Sequence, residues 1–279
     1  MIKVIFWDID GTLTDDYIHK AKHLALATRA GYTITSAESM LLNGVNDHQT
    51  YLYLCQKSPS FAAYFPQVEN YVNACQDFFE KHALDATSDY RIKARVGAID
   101  CLHALHHLNL QQACVTSAPQ WQASRNIAAL GIEAKLVFIQ QLDANLRPKP
   151  EPDLYQAAYA KMHKLLPQLQ LSEVLVIEDS VSGVRAAVAA GFKVIHCRMN
   201  AAAPIAEETE YRAFNYEQVS AILHKHFNLD IRDSFAPKII NLQHSLLFQP
   251  KLSLPSQHHD HDHEHYCGFK PGFLLAKRF

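Results

Sequence analysis

An apolar run near the start of the chain ends in two acidic residues. Six of the eight residues from Ile2 to Ile9 are apolar, which is typical of a strand buried in a parallel sheet. Asp8 and Asp10 lie at its carboxyl end, and Gly11 follows them. Alternate side chains of a strand share one face, so both carboxylates can enter one small volume before glycine turns the backbone. Two carboxylates so close together need a cation, and Mg²⁺ is the usual one.

The hydrophobic spacing becomes helical after Asp15. Apolar residues then recur every three or four positions, and glycines end the first two segments. Helices are predicted over residues 18–30, 37–42, 47–56 and 66–82, with no strand pattern between them. The sequence therefore predicts an all-helical insertion over residues 16–87, with polar residues 85–89 as its return linker. A helical elaboration of a single domain is the alternative interpretation.

Strand and helix patterns alternate from Val96 onwards. Apolar runs at 113–115, 136–139, 174–177 and 193–197 are separated by helical segments and short turns. This succession specifies a parallel sheet with helices on both faces. We therefore expect an α/β fold whose doubly wound, Rossmann-like core comprises residues 1–15 and 88–227, with the helical domain of residues 16–87 inserted into it.

The last part of the chain breaks the alternation. Residues 228–279 carry four prolines and one clear apolar cluster, so we expect a flexible C-terminal extension. Within it, residues 258–265 alternate imidazole and carboxylate side chains, a pattern that could hold Zn²⁺, Ni²⁺ or Cu²⁺. A disordered polar tail is the interpretation we prefer.

Composition excludes several classes of partner. The chain has 279 residues, of which 48% are hydrophobic, and its 26 Lys and Arg nearly balance 28 Asp and Glu. Such a balanced charge does not indicate the basic surface that binds nucleic acid or an anionic membrane. The sequence does not indicate an oligomeric state. The first apolar run is too short for a membrane span and lacks the features of a secretion signal, so we expect a cytoplasmic protein. The six scattered cysteines are expected to be free thiols.

Three more loops at predicted strand ends carry reactive side chains. Thr116 and Ser117 follow one strand and offer a hydroxyl and backbone amides that could bind phosphoryl oxygens. Lys149 provides a cation in a proline-rich loop, while Glu178 and Asp179 could complete a metal site. Each has a plainer interpretation, since Thr116 could cap a helix and Lys149 could be a solvated loop lysine. Together they suit the hydrolysis of a phosphate monoester.

These motifs resemble those of the haloacid dehalogenase superfamily. The residues Asp8-Ile9-Asp10-Gly11-Thr12 resemble its first motif, and the later motifs are matched in order by residues 115–117, 149–153 and 177–183. The resemblance implies that Asp8 attacks phosphorus and that Asp10 acts as general acid and then base. It further implies that residues 16–87 form a mobile cap over the site.

The resemblance also implies a metal and supporting groups. Mg²⁺ would be held by Asp8 and Asp179 and by the backbone carbonyl of Asp10, with Glu178 nearby. Thr116 and Lys149 would assist catalysis, and Gly11 and Ser117 would bind the phosphate. The expected partner is a small phosphorylated metabolite, with a sugar or polyol phosphate favoured.

The second carboxylate and the cap distinguish branches of the superfamily. Asp10 matches the phosphatases and phosphomutases, and the chain is most similar to the subgroup of β-phosphoglucomutase and small sugar-phosphate phosphatases. Asn43 and Asp47 stand where mutases carry basic residues, which favours a phosphatase over a phosphomutase. A non-catalytic metal-binding or regulatory protein on the same fold is a further alternative. His19 could touch substrate, but we interpret it as a surface histidine.

Overall fold

A six-stranded sheet forms the centre of the computed structural model, which describes residues 1–42 and 45–235. Its strands are β1 (Val4–Trp7), β2 (Gln111–Val115), β3 (Ile139–Gln140), β4 (Val174–Glu178), β5 (Lys193–Cys197) and β6 (Tyr211–Ala213). The order is β3-β2-β1-β4-β5-β6, and every neighbouring pair is parallel. β1 therefore lies in the middle of the sheet. The next two strands of the chain are added on one side of it, and β4 to β6 are added on the other side. This is the predicted doubly wound core.

Helices cover both faces of the sheet. They are α6 (Ala98–His107), α7 (Gln120–Leu130), α8 (Asp153–Leu165), α9 (Val181–Ala189) and α10 (Tyr216–Phe227), numbered after the five helices of the insertion. Alternate residues of β1 enter opposite clusters, since Ile5 and Trp7 pack with α6, α7 and α10, whereas Val4 and Phe6 pack with α8 and α9. Burial on both faces explains why β1 is apolar at every position.

A helical region is inserted between β1 and α6, as predicted. Its helices are α1 (Tyr17–Arg29), α2 (Ser36–Leu41), α3 (Asp47–Lys57), α4 (Pro59–Tyr64) and α5 (Val68–His82). An aromatic cluster that includes Tyr51, Phe61 and Tyr71 gives the region its own core. The short α4 was not predicted, although Ser58 caps it and Pro59 starts it, a recognised initiation signal.

The chain leaves and re-enters the sheet region side by side. Thr14 forms an antiparallel bridge with Ala94. The Asp15 amide donates to the Lys93 carbonyl at 3.0 Å, and the Arg95 amide donates to the Leu13 carbonyl at 2.8 Å. The entrance and exit of the insertion are therefore joined by backbone hydrogen bonds.

Residues 228–235 differ from the structure predicted for the start of the extension. Strand β6 and helix α10 were not predicted as separate elements, because a three-residue strand leaves little hydrophobic pattern. Beyond α10, Leu229 and Ile231 are buried in the cluster that contains β1. Residues 228–235 thus include core positions that we had assigned to the flexible extension. The His-rich tract 258–265 lies outside the described residues.

Among residues 1–42 and 45–235, none of the helices has the length and apolar character that crossing a bilayer requires.

Candidate active site

The turn after β1 brings Asp8 against a second acidic loop. The Asp8 amide donates to the Ile177 carbonyl at 3.1 Å, so the residue extends the pairing of β1 with β4. Gly11 has a φ of +82°, and a Cβ at this position would lie 2.2 Å from Oδ2 of Asp179. Glycine is therefore required both by the backbone conformation and by the approach of Asp179.

Lys149 is buried beside Asp8. Its Nζ donates to Oδ1 of Asp8 at 2.9 Å and to the Val115 carbonyl at 2.9 Å, and it lies 2.6 Å from Oε1 of Glu178. The side chain is only 7% exposed, so its interpretation as a solvated loop lysine is wrong. Burial alone would lower the pKa of Lys149, but the charges of Asp8 and Glu178 raise it above its ordinary value. Lys149 is therefore a fixed cation.

Asp8, Glu178 and Asp179 present carboxylate oxygens within 4.8 Å of one another. We call these three residues and Lys149 the carboxylate–lysine cluster. Burial, followed by the charge of Asp8, raises the pKa of Glu178 to about 8 and the pKa of Asp179 well above its usual range. The single ammonium of Lys149 does not neutralise three carboxylates in a buried site. The cluster therefore has excess negative charge when all three are ionised.

The donor set fits a divalent cation. Oε2 of Glu178 is buried without a hydrogen-bond partner among the described residues, and a Cβ on Gly183 would lie 2.0 Å from it. A buried oxygen without a partner is costly, and carboxylate oxygens are the ligands that Mg²⁺ prefers. Asp8, Glu178 and Asp179 are therefore the residues that could hold the metal.

Thr12 connects the two acidic loops. Its hydroxyl lies 3.0 Å from Oδ2 of Asp8 and 2.9 Å from Oδ1 of Asp179, and it can donate to either oxygen. The Tyr216 hydroxyl in turn donates to the Thr12 carbonyl at 2.6 Å. Both side chains thus hold the turn that carries Asp8 and Gly11.

Thr116 and Ser117 border the cluster, and some of their polar groups are engaged within the protein. The Thr116 amide donates to the Gln140 carbonyl at 2.9 Å, continuing the pairing of β2 with β3. This amide is thus already engaged and does not serve as the predicted phosphate ligand. The Thr116 hydroxyl accepts the Ala118 amide at 3.0 Å and retains its own proton for donation. The Ser117 hydroxyl accepts the Lys149 amide at 3.3 Å, which ties the lysine loop to this turn.

Asp10 is separated from the carboxylate–lysine cluster. Its carboxylate belongs to a different group of side chains, with Asp16 and His19, so it is not grouped with the carboxylate oxygens of Asp8, Glu178 and Asp179. Oδ1 lies 2.9 Å from His19 Nε2 and accepts from Asn126 Nδ2 at 2.9 Å, while Oδ2 accepts from Gln122 Nε2 at 3.2 Å. We call Asp10, His19, Gln122 and Asn126 the Asp10 pocket.

The donors of the Asp10 pocket stabilise a charged carboxylate. Burial would raise the pKa of Asp10, but the charge of His19 and the hydrogen bonds from His19 and Asn126 lower it below its ordinary value. For His19, burial would lower the pKa, and the charge of Asp10 outweighs this and raises it. The free site therefore holds Asp10 as a carboxylate.

Sequence reasoning missed three members of this pocket. His19 lies in the first turns of α1, stacks on Phe79 with ring centroids 5.5 Å apart, and is only 16% exposed. Its interpretation as a surface histidine is wrong. Gln122 and Asn126 lie four residues apart on α7 and are buried. Two buried amides at that spacing share one helix face, and this spacing is the signal that could have identified them.

The sequence pattern also did not indicate Arg95, which holds the turn that carries Gly11. Its guanidinium is buried and donates to the Gly11 carbonyl at 3.1 Å and to the Cys197 carbonyl at 2.8 Å. It also donates to the carbonyls of Arg198 and Phe214. No local pattern could reveal these contacts, because they join segments that are 84 or more residues apart.

The fold and the clustered loops define a class of hydrolase. The chain belongs to the haloacid dehalogenase-like hydrolase family, whose sequence model matches residues 4–197. This confirms the predicted family and places all four motif loops within the matched region.

Individual relatives extend the comparison. The chain is 32% identical over 144 residues to hexitol phosphatase A of Escherichia coli, a match that covers 52% of this chain and 64% of that enzyme. It is 27% identical over 194 residues to the validoxylamine A 7'-phosphate phosphatase of Streptomyces hygroscopicus, covering 68% and 83% of the two chains. The match thus spans less than two thirds of the hexitol phosphatase.

A solved structure shares the fold. CbbY of Rhodobacter sphaeroides, determined in complex with phosphate, has a TM-score of 0.60 and 19% identity to this chain, covering 77% of it and 95% of CbbY. At that identity the likeness shows the fold alone.

Proposed function

We propose that this protein is a Mg²⁺-dependent phosphatase that hydrolyses a small sugar or polyol phosphate through a covalent aspartyl-phosphate. The observation that carries the proposal is the position of Asp8, whose two oxygens lie 2.9 Å from Lys149 Nζ and 3.0 Å from the Thr12 hydroxyl, beside two further carboxylates. A carboxylate held in this way has a defined orientation toward an incoming phosphoryl group.

The reaction divides into two displacements at phosphorus. Because Asp10 is ionised in the free site, it takes up a proton when the substrate binds as a phosphate monoanion. In the first displacement, an oxygen of Asp8 bonds to phosphorus while the bond to the ester oxygen breaks, and Asp10 gives that oxygen its proton. In the second, Asp10 takes a proton from water, and the water oxygen bonds to phosphorus as the bond to Asp8 breaks. The ionised state of Asp10 in this structure is the form that the second step uses.

The cluster supplies the electrostatic part of catalysis. Lys149 stays protonated beside Asp8 and Glu178, so it can offset negative charge on the phosphoryl group throughout the reaction. When bound to Asp8, Asp179 and Glu178, Mg²⁺ would neutralise further charge on the phosphoryl oxygens. The Thr116 hydroxyl, whose proton remains available, could donate to one of those oxygens.

The polar character of the pocket supports a polyol or sugar as substrate. The amide of Gln122 beside Asp10 is a hydrogen-bonding group suited to hydroxyls. Asp47, where a mutase would carry a cation, is instead paired with Lys22 at 2.8 Å, which supports hydrolysis over phosphoryl transfer between two positions of a sugar. Asn43 lies outside the described residues. The two phosphatase relatives are named for a hexitol and for validoxylamine A 7'-phosphate, and the first of these is a polyol.

The proposal also assigns a role to the helical region. Residues 16–87 would act as the cap domain, because His19 of α1 reaches Asp10 of the sheet region. Closure over the site would exclude water during the first step and admit it for the second.

Phosphate release tests the proposal. The full chain would be assayed with p-nitrophenyl phosphate and then with a panel of hexitol and hexose phosphates, with Mg²⁺ and after chelation, and with Asp8→Asn as the control. We expect metal-dependent release that the control lacks. Isomerisation of glucose 1-phosphate without net phosphate release would instead show a phosphomutase. No turnover, together with Zn²⁺ binding that is lost on deletion of residues 258–265, would show a non-catalytic metal-binding protein.

A further inference from the structure

A buried ion pair lies in the helical region behind the Asp10 pocket. Lys22 of α1 is only 2% exposed, and its Nζ lies 2.8 Å from Oδ1 of Asp47, the first residue of α3. Burying two charges costs several kcal/mol per ion before their attraction is counted, so such a pair is weak evidence for a purely stabilising role. Lys22 also touches the pocket, because its Nζ lies 3.3 Å from Nδ1 of His19.

The contact with Lys22 determines which nitrogen of His19 carries hydrogen. An ammonium group has three donors and no acceptor, so Nδ1 of His19 must present its lone pair to Lys22. The proton of the neutral imidazole then lies on Nε2, which is 2.9 Å from Oδ1 of Asp10. Both ring nitrogens thereby face complementary partners.

The opposite tautomer would be unfavourable at both nitrogens. An Nδ1–H would point at the ammonium of Lys22, and the Nε2 lone pair would face the Asp10 carboxylate. Its one gain would be a hydrogen bond to Nε2 from the Gln122 amide at 3.3 Å. That amide already donates to Oδ2 of Asp10 at 3.2 Å. Two repulsive contacts outweigh one long hydrogen bond, so the Nε2–H form is favoured.

We propose that Lys22, held by Asp47, is a positioning residue that fixes His19 in the Nε2–H tautomer and so keeps a hydrogen bond on Asp10. The ion pair thereby links the start of α3 to the acid/base group of the sheet region through two side chains of α1. A hydrogen bond that fixes the tautomer of one ring nitrogen through the other is a common device at functional histidines. The tautomer assignment stands on geometry alone, whereas its effect on turnover rests on the proposed phosphatase function.

The first test measures the tautomer of His19 in the wild-type chain. Two-bond ¹H–¹⁵N spectra of the ¹⁵N-labelled full chain report which ring nitrogen of each histidine is protonated. His19→Gln identifies the signal of His19 among the 17 histidines, and alkaline pH keeps the imidazole neutral. We expect the Nε2–H pattern for His19. An Nδ1–H pattern, or the averaged signals of a ring that exchanges between tautomers, would overturn the proposal.

Two variants then separate the donor from the rest of the side chain. Lys22→Met removes the donor and shortens the side chain by one atom, whereas Lys22→Arg keeps a charged donor and, like lysine, has no acceptor. Lys20→Met makes the same change as the first variant, elsewhere on α1. Because Asp10 still favours a proton on Nε2, we expect the Lys22→Met chain to populate the Nδ1–H tautomer to a larger extent rather than completely, and to lose about tenfold in kcat, with KM changed by less than about twofold. The Lys22→Arg and Lys20→Met chains should keep the wild-type tautomer ratio and most of the turnover.

The outcomes separate the two proposals. A Lys22→Met chain that folds with the wild-type tautomer ratio at His19 would overturn the role of Lys22, whatever its activity. Absence of turnover in the wild-type chain would contradict the phosphatase, while the spectra would still decide the tautomer. If Lys22→Met does not fold, Asp47→Leu removes both the charge and the acceptor that hold the lysine, and an unchanged His19 signal and kcat in that chain would likewise overturn the proposal.

Discussion

The carboxylate–lysine cluster and the Asp10 pocket lie at the same end of β1 but balance charge in opposite ways. In the cluster, three carboxylates share one buried ammonium, and the pKa values of Glu178 and Asp179 are raised. In the pocket, one carboxylate receives hydrogen bonds from three side chains, and its pKa is lowered. The cluster is therefore suited to receive a cation, whereas the pocket already supplies what Asp10 needs to stay ionised.

The largest effect expected from this contrast concerns the two aspartates themselves. Asp8→Asn should lower kcat by about 10⁴-fold or more, because an amide is a poor nucleophile and a weak metal ligand. Asp10→Asn should impair both proton transfers while leaving Asp8 able to take up phosphate. Quench-flow assays and mass spectrometry of the phosphorylated chain would measure this. If the Asp8→Asn chain kept near-wild-type turnover, Asp8 could not be the nucleophile.

The pH dependence of stability should reveal the excess charge of the cluster. The pKa of Glu178 is raised from 4.5 to about 8 in the folded protein, so the stability that it contributes is complete below about pH 4.5 and is lost as pH rises through about 8. We expect the metal-free chain to lose at most about 5 kcal/mol over this window. Thermal melts across pH would measure the loss, and Mg²⁺ should reduce it.

The control for this prediction is Glu178→Gln, which removes the titrating group. Its melting temperature should vary less between pH 4.5 and 8 than that of the wild-type chain. An equal dependence in both chains would assign the effect to other groups.

Two glycines have positive φ angles, and substituting them measures the cost of backbone strain separately from the cost of crowding Asp179. Gly131 has a φ of +66° and no atom within 4 Å of a built Cβ, whereas at Gly11 the Cβ would meet Asp179 at 2.2 Å. Gly131→Ala should cost about 1 kcal/mol of unfolding free energy, and Gly11→Ala about 2 to 3 kcal/mol. Urea denaturation would compare them. Equal costs would mean that Asp179 moves aside freely.

The smallest effect is expected in the Asp10 pocket. Gln122→Met removes the longest of the three hydrogen bonds to Asp10, at 3.2 Å, while His19 and Asn126 remain at 2.9 Å. We expect kcat to fall by only about threefold, because the two shorter hydrogen bonds still stabilise the ionised carboxylate of Asp10. Steady-state kinetics would measure it. If kcat fell as far as in the Asp10→Asn chain, Gln122 would have a direct part in the proton transfers.

The two regions also differ in how far the sequence could predict them. Asp8, Glu178 and Asp179 directly follow or end β1 and β4, and parallel strands bring their carboxyl ends to one edge. Their proximity could thus be predicted once the strands were recognised. The burial of Lys149 depends on its loop folding back onto Asp8, which the motif resemblance implied but the local pattern did not.

The Asp10 pocket could not be predicted in the same way. His19 reaches Asp10 only because α1 packs over the end of the sheet, and Gln122 and Asn126 do so only because α7 packs beside it. The sequence pattern predicts those helices but not which side chains meet after docking. Likewise, the three-residue strand β6 is too short to have a periodicity of its own.

The antiparallel bridge between Thr14 and Ala94 determines where the helical region is attached to the sheet region. Because the outgoing and returning segments are hydrogen-bonded to each other next to Gly11, the intervening helices enter and leave the sheet region at one place. An engineered exchange of these helices therefore has to preserve one pair of backbone crossings and the partner of Asp10, rather than the sheet. Under the proposed function, such an exchange would change the groups that face Asp10 and leave Asp8 in place.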